Sequence, residues 1–127
     1  MDPEFIRELF LSFGPVTVRR MFGGAGLYAE GVMFGLVSGE QIYLKADAAT
    51  VAHFEREHCG PFEYSTRNGR RALTSYWRLP DRLYDDADEL AQWARQAFAV
   101  AQRGVSAKSR AGKKRDKKRA RKRTRKR

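Results

Sequence analysis

Apolar residues recur at two periods along this chain, and the changes between them mark the elements. Ile6, Leu9, Phe10 and Phe13 fall three or four residues apart, the spacing that gathers side chains on one helix face. Asp2 precedes Pro3 and Glu4 as an N-cap, and Gly14-Pro15 stops the run, so a short amphipathic helix is expected there. From Val16 the period becomes two. Val16, Val18 and Phe22 alternate with Thr17, Arg19 and Met21, and Gly23-Gly24-Ala25-Gly26 reads as a bend. Leu27 to Ala29, Val32 to Val37 and Gln41 to Lys45 read as strands separated by Glu30-Gly31 and Ser38-Gly39-Glu40. Strands joined by such tight turns pair antiparallel, because a parallel pair needs a crossover of about a dozen residues.

Asp47 is the expected cap of a second helix, on which Val51, Phe54 and His58 share a face and which Gly60-Pro61 ends. Phe62 to Thr66 and Arg70 to Leu79 then flank Asn68-Gly69, a dipeptide suited to the positive φ angles of a hairpin turn. A last helix is expected to start near Asp85, with Ala87, Leu90, Ala91, Ala94, Ala97, Phe98 and Ala101 along one apolar stripe. The order is helix, four strands, helix, two strands, helix. It predicts an α+β fold: a single antiparallel sheet, meander plus hairpin, packed by three helices as a two-layer sandwich.

Charge divides the chain in two. Fourteen of the 26 basic residues but one of the 15 acidic residues lie in 104–127, which carries +13 while 1–103 carries −2. Residues 1–103 suffice for one domain with one core. Residues 104–127 contain too few apolar side chains to offset ordering entropy and are expected to be a disordered Lys/Arg-rich tail. Cys59 is the single cysteine, which excludes an internal disulfide and a Cys-rich zinc module. No run approaches the roughly 18 apolar residues of a membrane span, and the start Met1-Asp2-Pro3-Glu4 is acidic where a secretory signal is basic. A cytoplasmic location without membrane contact, at the nucleoid if the tail holds DNA, is expected.

Candidate chemistry in the body is sparse. Gly24-Ala25-Gly26-Leu27-Tyr28-Ala29 fits a G-x-G-x-x-A dinucleotide fingerprint in letters, yet Gly31 turns the chain into another strand where that motif needs a helix. His53 and His58 would lie about 140° apart around a helix and do not converge on a metal. No further histidine is present to orient a Cys59 dyad. Asp85, Asp86, Asp88 and Glu89 are explained by the helix start they precede. No catalytic, metal or cofactor residues are therefore assigned, and the body is expected not to be an enzyme.

Two sets of residues are candidates for binding. Lys113, Lys114, Arg115, Lys117, Lys118, Arg119, Arg121, Lys122, Arg123, Arg125, Lys126 and Arg127 put twelve basic side chains into fifteen positions. A polyanion exchanges condensed counterions for such a segment, so association with DNA or RNA without regard to sequence is expected. Tyr43 and Lys45 alternate with inward Ile42 and Leu44, as Tyr76 and Arg78 do with Trp77. One sheet face should present them together, as a secondary surface for exposed bases, a protein partner or a second copy.

The stretch Arg19-Arg20-Met21-Phe22-Gly23-Gly24, running into Gly26-Leu27-Tyr28 and on to Phe34, resembles the N-terminal domain of the TfoX/Sxy family of competence regulators. Ile42-Tyr43-Leu44-Lys45-Ala46-Asp47, Tyr76-Trp77-Arg78-Leu79-Pro80 and Glu89-Leu90-Ala91-Gln92-Trp93-Ala94 are similar to the same family in the same order. The resemblance covers about Met1 to Ala101. It implies an α+β fold, a structural role for Arg20, Met21, Phe22, Gly23 and Gly24, and positive control of DNA-uptake genes in full-length relatives. It brings no catalytic residues. Those relatives carry a second, helical domain where this chain has its basic segment. The function expected is a non-enzymatic regulatory or adaptor module held to nucleic acid by a cationic tail. The alternatives are a small-molecule enzyme, or an RNA- or ribosome-associated factor, with the tail used for localisation.

Overall fold

A computed structural model of the chain describes residues 1–21 and 23–105. Phe22 and all twelve candidate basic residues from Lys113 to Arg127 lie outside the described residues.

Helix α1 (Pro3–Leu9) begins as expected, with the Asp2 carboxylate accepting from the Glu4 N–H at 3.0 Å and Pro3 in the first turn. Ile6 and Leu9 face inward. Phe10 and Phe13 follow in the next turn and pack on Phe34 with ring centroids 5.7 and 5.1 Å away, and Phe13 also meets Phe98. Burying one such ring contributes roughly 1.5–3 kcal/mol, so this aromatic knot fixes where the first helix lies on the sheet.

Strands β1 (Thr17–Met21), β2 (Gly24–Ala29), β3 (Val32–Ser38), β4 (Gln41–Lys45), β5 (Pro61–Thr66) and β6 (Gly69–Arg78) form one antiparallel sheet in the order β1-β2-β3-β4-β6-β5. The meander and the hairpin are thus joined through β4 and β6. Two departures from the sequence pattern matter. Gly24, Ala25 and Gly26 are strand residues, all three paired with β1 and Ala25 and Gly26 also with β3, so the strand begins right after Gly23, where φ is +77°. In the β2–β3 pair, Leu27 faces Gly35 and Tyr28 faces Met33, leaving Phe34 as an extra residue. This bulge turns Phe34 fully into the core while Met33 and Leu36 share the opposite face with Tyr28 and Tyr43.

Helix α2 (Val51–Arg56) is shorter than the pattern suggested. Asp47 does not cap it directly. Its carboxylate accepts from the Ala49 and Thr50 N–H groups at 3.0 Å and shapes the turn before it. The helix ends ahead of Gly60-Pro61 because His58 itself adopts a left-handed φ of +59°. Phe54 then packs edge-on against Trp93, with centroids 5.0 Å apart, and against Trp77.

A 3-10 turn (Asp81–Asp85) precedes the last helix, α3, at 87–105. Asp86 rather than Asp85 caps α3, its carboxylate accepting from the Glu89 N–H at 3.1 Å. Helix α3 continues past Arg103, whose guanidinium pairs with Asp47 at 3.2 Å. Among the described residues, the three α-helices cover one face of the six-stranded sheet, and the core between them contains Leu27, Ile42, Leu44, Leu79, Leu90 and Ala94. The expected α+β architecture holds.

Candidate functional site

The face of the sheet away from the helices collects the expected secondary surface. Cross-strand pairing sets Tyr43 opposite Arg78 and Lys45 opposite Tyr76. The Lys45 ammonium lies 4.8 Å from the centre of the Tyr76 ring, and Arg19 stands at the same distance over Tyr28. Tyr43 meets Phe62 edge-on at 5.0 Å, and Phe62 in turn stacks on Tyr64. Arg78 is held 3.3 Å from Asp81. Burial pushes the Tyr76 hydroxyl above its ordinary pKa, so it stays protonated across the physiological range.

This face is concave. Met21 and Gly24 at one end of the sheet and Phe62 and Leu73 at the other line a single cleft of about 320 Å³, with Met33, Leu36 and Tyr76 in its floor. Phe62, Leu73, Met33 and Leu36 were absent from the sequence-level candidates. The signal existed in the alternation of Phe62 with Tyr64, but bulges at Leu27/Tyr28 and at Pro61/Phe62 change its phase.

The residues of the family-like motif divide among several places. Arg20 is exposed on β1, Met21 is half-buried at the cleft, Gly23 makes the bend and Gly24 opens β2. Together with Met1, Val37 and Glu40 they also border a wider hollow of about 600 Å³ on the other side of the Gly24-Ala25 backbone.

The histidines and the cysteine remain apart in role. His53 Nδ1 lies 3.1 Å from the Gln96 side-chain oxygen and its ring meets Trp93 edge-on. Cys59 is 6% exposed, its thiol points at the Glu57 carbonyl oxygen at 3.7 Å, and burial raises its pKa. A thiol held in its protonated form is a weak nucleophile. The hydrogen bond from Arg82 holds the Glu57 carboxyl below its usual range, and the same guanidinium pairs with Glu89. Among the described residues no three His, Cys, Asp or Glu side chains group as a metal site. None of the described helices is long and apolar enough to cross a membrane.

Comparison with known proteins bears on the same segments. The TfoX N-terminal domain model matches residues 8–101. The chain belongs to this family. The DNA transformation protein TfoX1 of Aliivibrio fischeri is 35% identical over 68 residues, 50% of this chain and 32% of that protein. The DNA transformation protein TfoX of Haemophilus influenzae is 28% identical over 71 residues, 55% of this chain and 33% of that protein. The aligned part spans about a third of the length of these relatives.

Proposed function

We propose that this chain is a regulatory or adaptor module of the TfoX type rather than an enzyme. Its body contacts a protein partner, and its basic segment holds it to DNA or RNA without reading sequence. The observation that carries the reading is the division of charge: +13 in residues 104–127 beside −2 in residues 1–103. A segment this dense in cations gains free energy from counterion release on any polyanion. The relatives are named DNA transformation proteins, which supports DNA as the polyanion this module meets, in a cytoplasmic, nucleoid-associated setting.

The chemistry of the body supports a non-catalytic role. The Cys59 thiol is buried and protonated against a carbonyl, His53 is engaged with Gln96, and Glu57 and Glu89 are tied to Arg82. Cys59, His53, Glu57 and Glu89 are thereby already engaged in structural contacts.

Purification of the intact protein with and without nuclease tests the reading. Nucleic acid should accompany the untreated protein and be lost on treatment, with DNase or RNase sensitivity distinguishing a DNA-associated regulator from an RNA- or ribosome-associated factor. Protein free of nucleic acid before treatment, at low salt, would refute it.

A further inference from the structure

We propose that the concave face of the sheet binds a segment of a partner protein in which bulky apolar side chains are flanked by carboxylates. This deepens the adaptor reading by naming the chemistry its body recognises.

The floor of the cleft is apolar and adaptable. Met21 and Met33 reach over Gly26 from both sides: a Cβ at that position would lie 2.7 and 3.4 Å from their terminal methyls. Leu36, Phe62, Leu73 and Tyr76 complete the lining around about 320 Å³, room for a few inserted side chains. Thioethers on unbranched side chains re-pack around varied shapes, which suits a surface that accepts apolar anchors. The apolar area does not stop at the cleft. Leu73 is 38% exposed and Tyr64, next along the hairpin, is 42% exposed. A surface continuing past the cavity in this way fits a polypeptide better than a small molecule that the cavity alone would hold.

Charge selects the kind of polypeptide. The strand positions on this face carry Arg19, Lys45, Arg71 and Arg78 and no Asp or Glu. Pairing shows this directly: Arg71 faces Tyr64, whereas Glu63 faces Ala72 on the other surface and pairs with Arg70. Asp81, beside Arg78, follows the strand. Carboxylates flanking an apolar anchor would meet these cations at the rim.

The same facts weigh against other occupants. A second copy docked by two-fold symmetry would bring the same cationic patch against itself. Stacked bases need free ring faces, but the Tyr28 and Tyr76 rings already carry Arg19 and Lys45, and Tyr43 is turned edge-on to Phe62.

The test uses the full chain, labelled with ¹³C at the methionine methyls, and two short synthetic peptides of equal negative charge. One carries Leu and Phe between Glu and Asp, and the other has Ser in place of Leu and Phe. Binding is read by fluorescence anisotropy of the peptides and by the methionine methyl resonances. The apolar acidic peptide should bind about tenfold or more tighter than its serine counterpart. It should shift the Met21 and Met33 methyls while Met1, outside the cleft, stays in place. Leu73→Asp, at a partly exposed position, should remove the preference without unfolding the protein. The basic segment is attracted by the charge of both peptides alike, so it gives no preference between them. Equal affinity for the two peptides, or unmoved Met21 and Met33 methyls, would overturn the proposal. So would the same methyls shifting with protein concentration alone, the mark of a second copy, or responding to a single-stranded oligonucleotide instead. Those failures leave the nuclease result untouched, so loss of the docking face and loss of the nucleic-acid reading are distinguishable.

Discussion

Substituting Gly24 by Ala should destabilise the domain far more than the same change at Gly26, although the two sit in one strand. A Cβ on Gly24 would lie 2.2 Å from the Val37 carbonyl oxygen and 3.3 Å from its carbon. Both are backbone atoms, and no rotamer change relieves the overlap. The β2 and β3 backbones must separate by about 1 Å at a spacing where strands ordinarily stand about 4.8 Å apart. Overpacking of this kind costs about 1–3 kcal/mol, and each ladder hydrogen bond lost adds about 0.5–1.5 kcal/mol. Alanine returns about 0.5–1 kcal/mol by restricting the unfolded chain. The net expectation is a loss of about 2–3 kcal/mol.

At Gly26 the nearest atoms are the Met21 and Met33 methyls and the edge of the Tyr28 ring, side-chain ends that can swing aside. The loss there should stay below about 1 kcal/mol, because movable side chains absorb the volume and alanine's smaller unfolded-state entropy offsets part of it. Urea denaturation of both variants measures the difference, with unchanged m-values showing that only stability moved. The melting temperatures should differ by roughly 8–16 °C. Equal stabilities, or Gly26→Ala the worse of the two, would refute the close-packed strand account. Such a result would return Gly24-Ala25-Gly26 to the status of a loop.

Three further outcomes follow from single contacts. Tyr84→Phe should cost about 1–3 kcal/mol in the same urea assay, since the Tyr84 hydroxyl accepts from the Ile42 N–H at 2.9 Å and from the Gln41 amide at 3.1 Å. Burial works to raise the Asp47 carboxyl, but the hydrogen bonds from Arg103, Thr50 and Ala49 outweigh it and hold its pKa below the ordinary 3.8. Its ionised form therefore stabilises the fold above that value, and the stabilisation is lost as pH falls through the lower folded pKa. The stability gap between wild type and Asp47→Ala should accordingly be present at neutral pH and shrink in acid; a gap that is flat with pH would contradict the assignment. Cys59 in the native protein should react with a thiol reagent far more slowly than in urea, given its burial and raised pKa; native reactivity matching a free thiol would reopen it as a nucleophile.

Much of the fold was legible because local signals agreed. Asp2-Pro3-Glu4 starts a helix, Asn68-Gly69 marks a hairpin whose turn residues are Arg67 and Asn68 while Gly69, at φ +112°, opens β6 opposite Thr66, and Ile42 and Leu44 alternate inward against Tyr43 and Lys45. Less legible was anything that depends on an extra residue or on a distant partner. The bulged Phe34 breaks the period of β3, so the turn of Leu36 onto the far face follows from its pairing with Tyr43 rather than from the local pattern. The placement of β6 beside β4, with β5 outermost, depends on long-range pairing that periodicity does not encode. The grouping of Tyr43, Lys45, Tyr76 and Arg78 was anticipated from alternation, while the cleft beside them needs the curvature of the whole sheet. His58 ends α2 early because it takes the left-handed position for which glycine is the usual residue, leaving Gly60 no part in the cap.

The central claim is that the basic segment, and not the TfoX-type body, holds nucleic acid. The decisive measurement titrates the full chain and a chain ending at Val105 onto two unrelated DNA duplexes across a range of salt. The full chain should bind both duplexes alike, with log K falling against log salt by about 0.9 for each phosphate neutralised. With about 6–10 charges engaged, that amounts to three to five orders of magnitude between about 50 and about 200 mM salt. The chain ending at Val105 should bind hardly at all. Equal binding by the shortened chain would move the site onto the body, and a strong preference for one duplex would show that base edges are read. Either result would contradict the account.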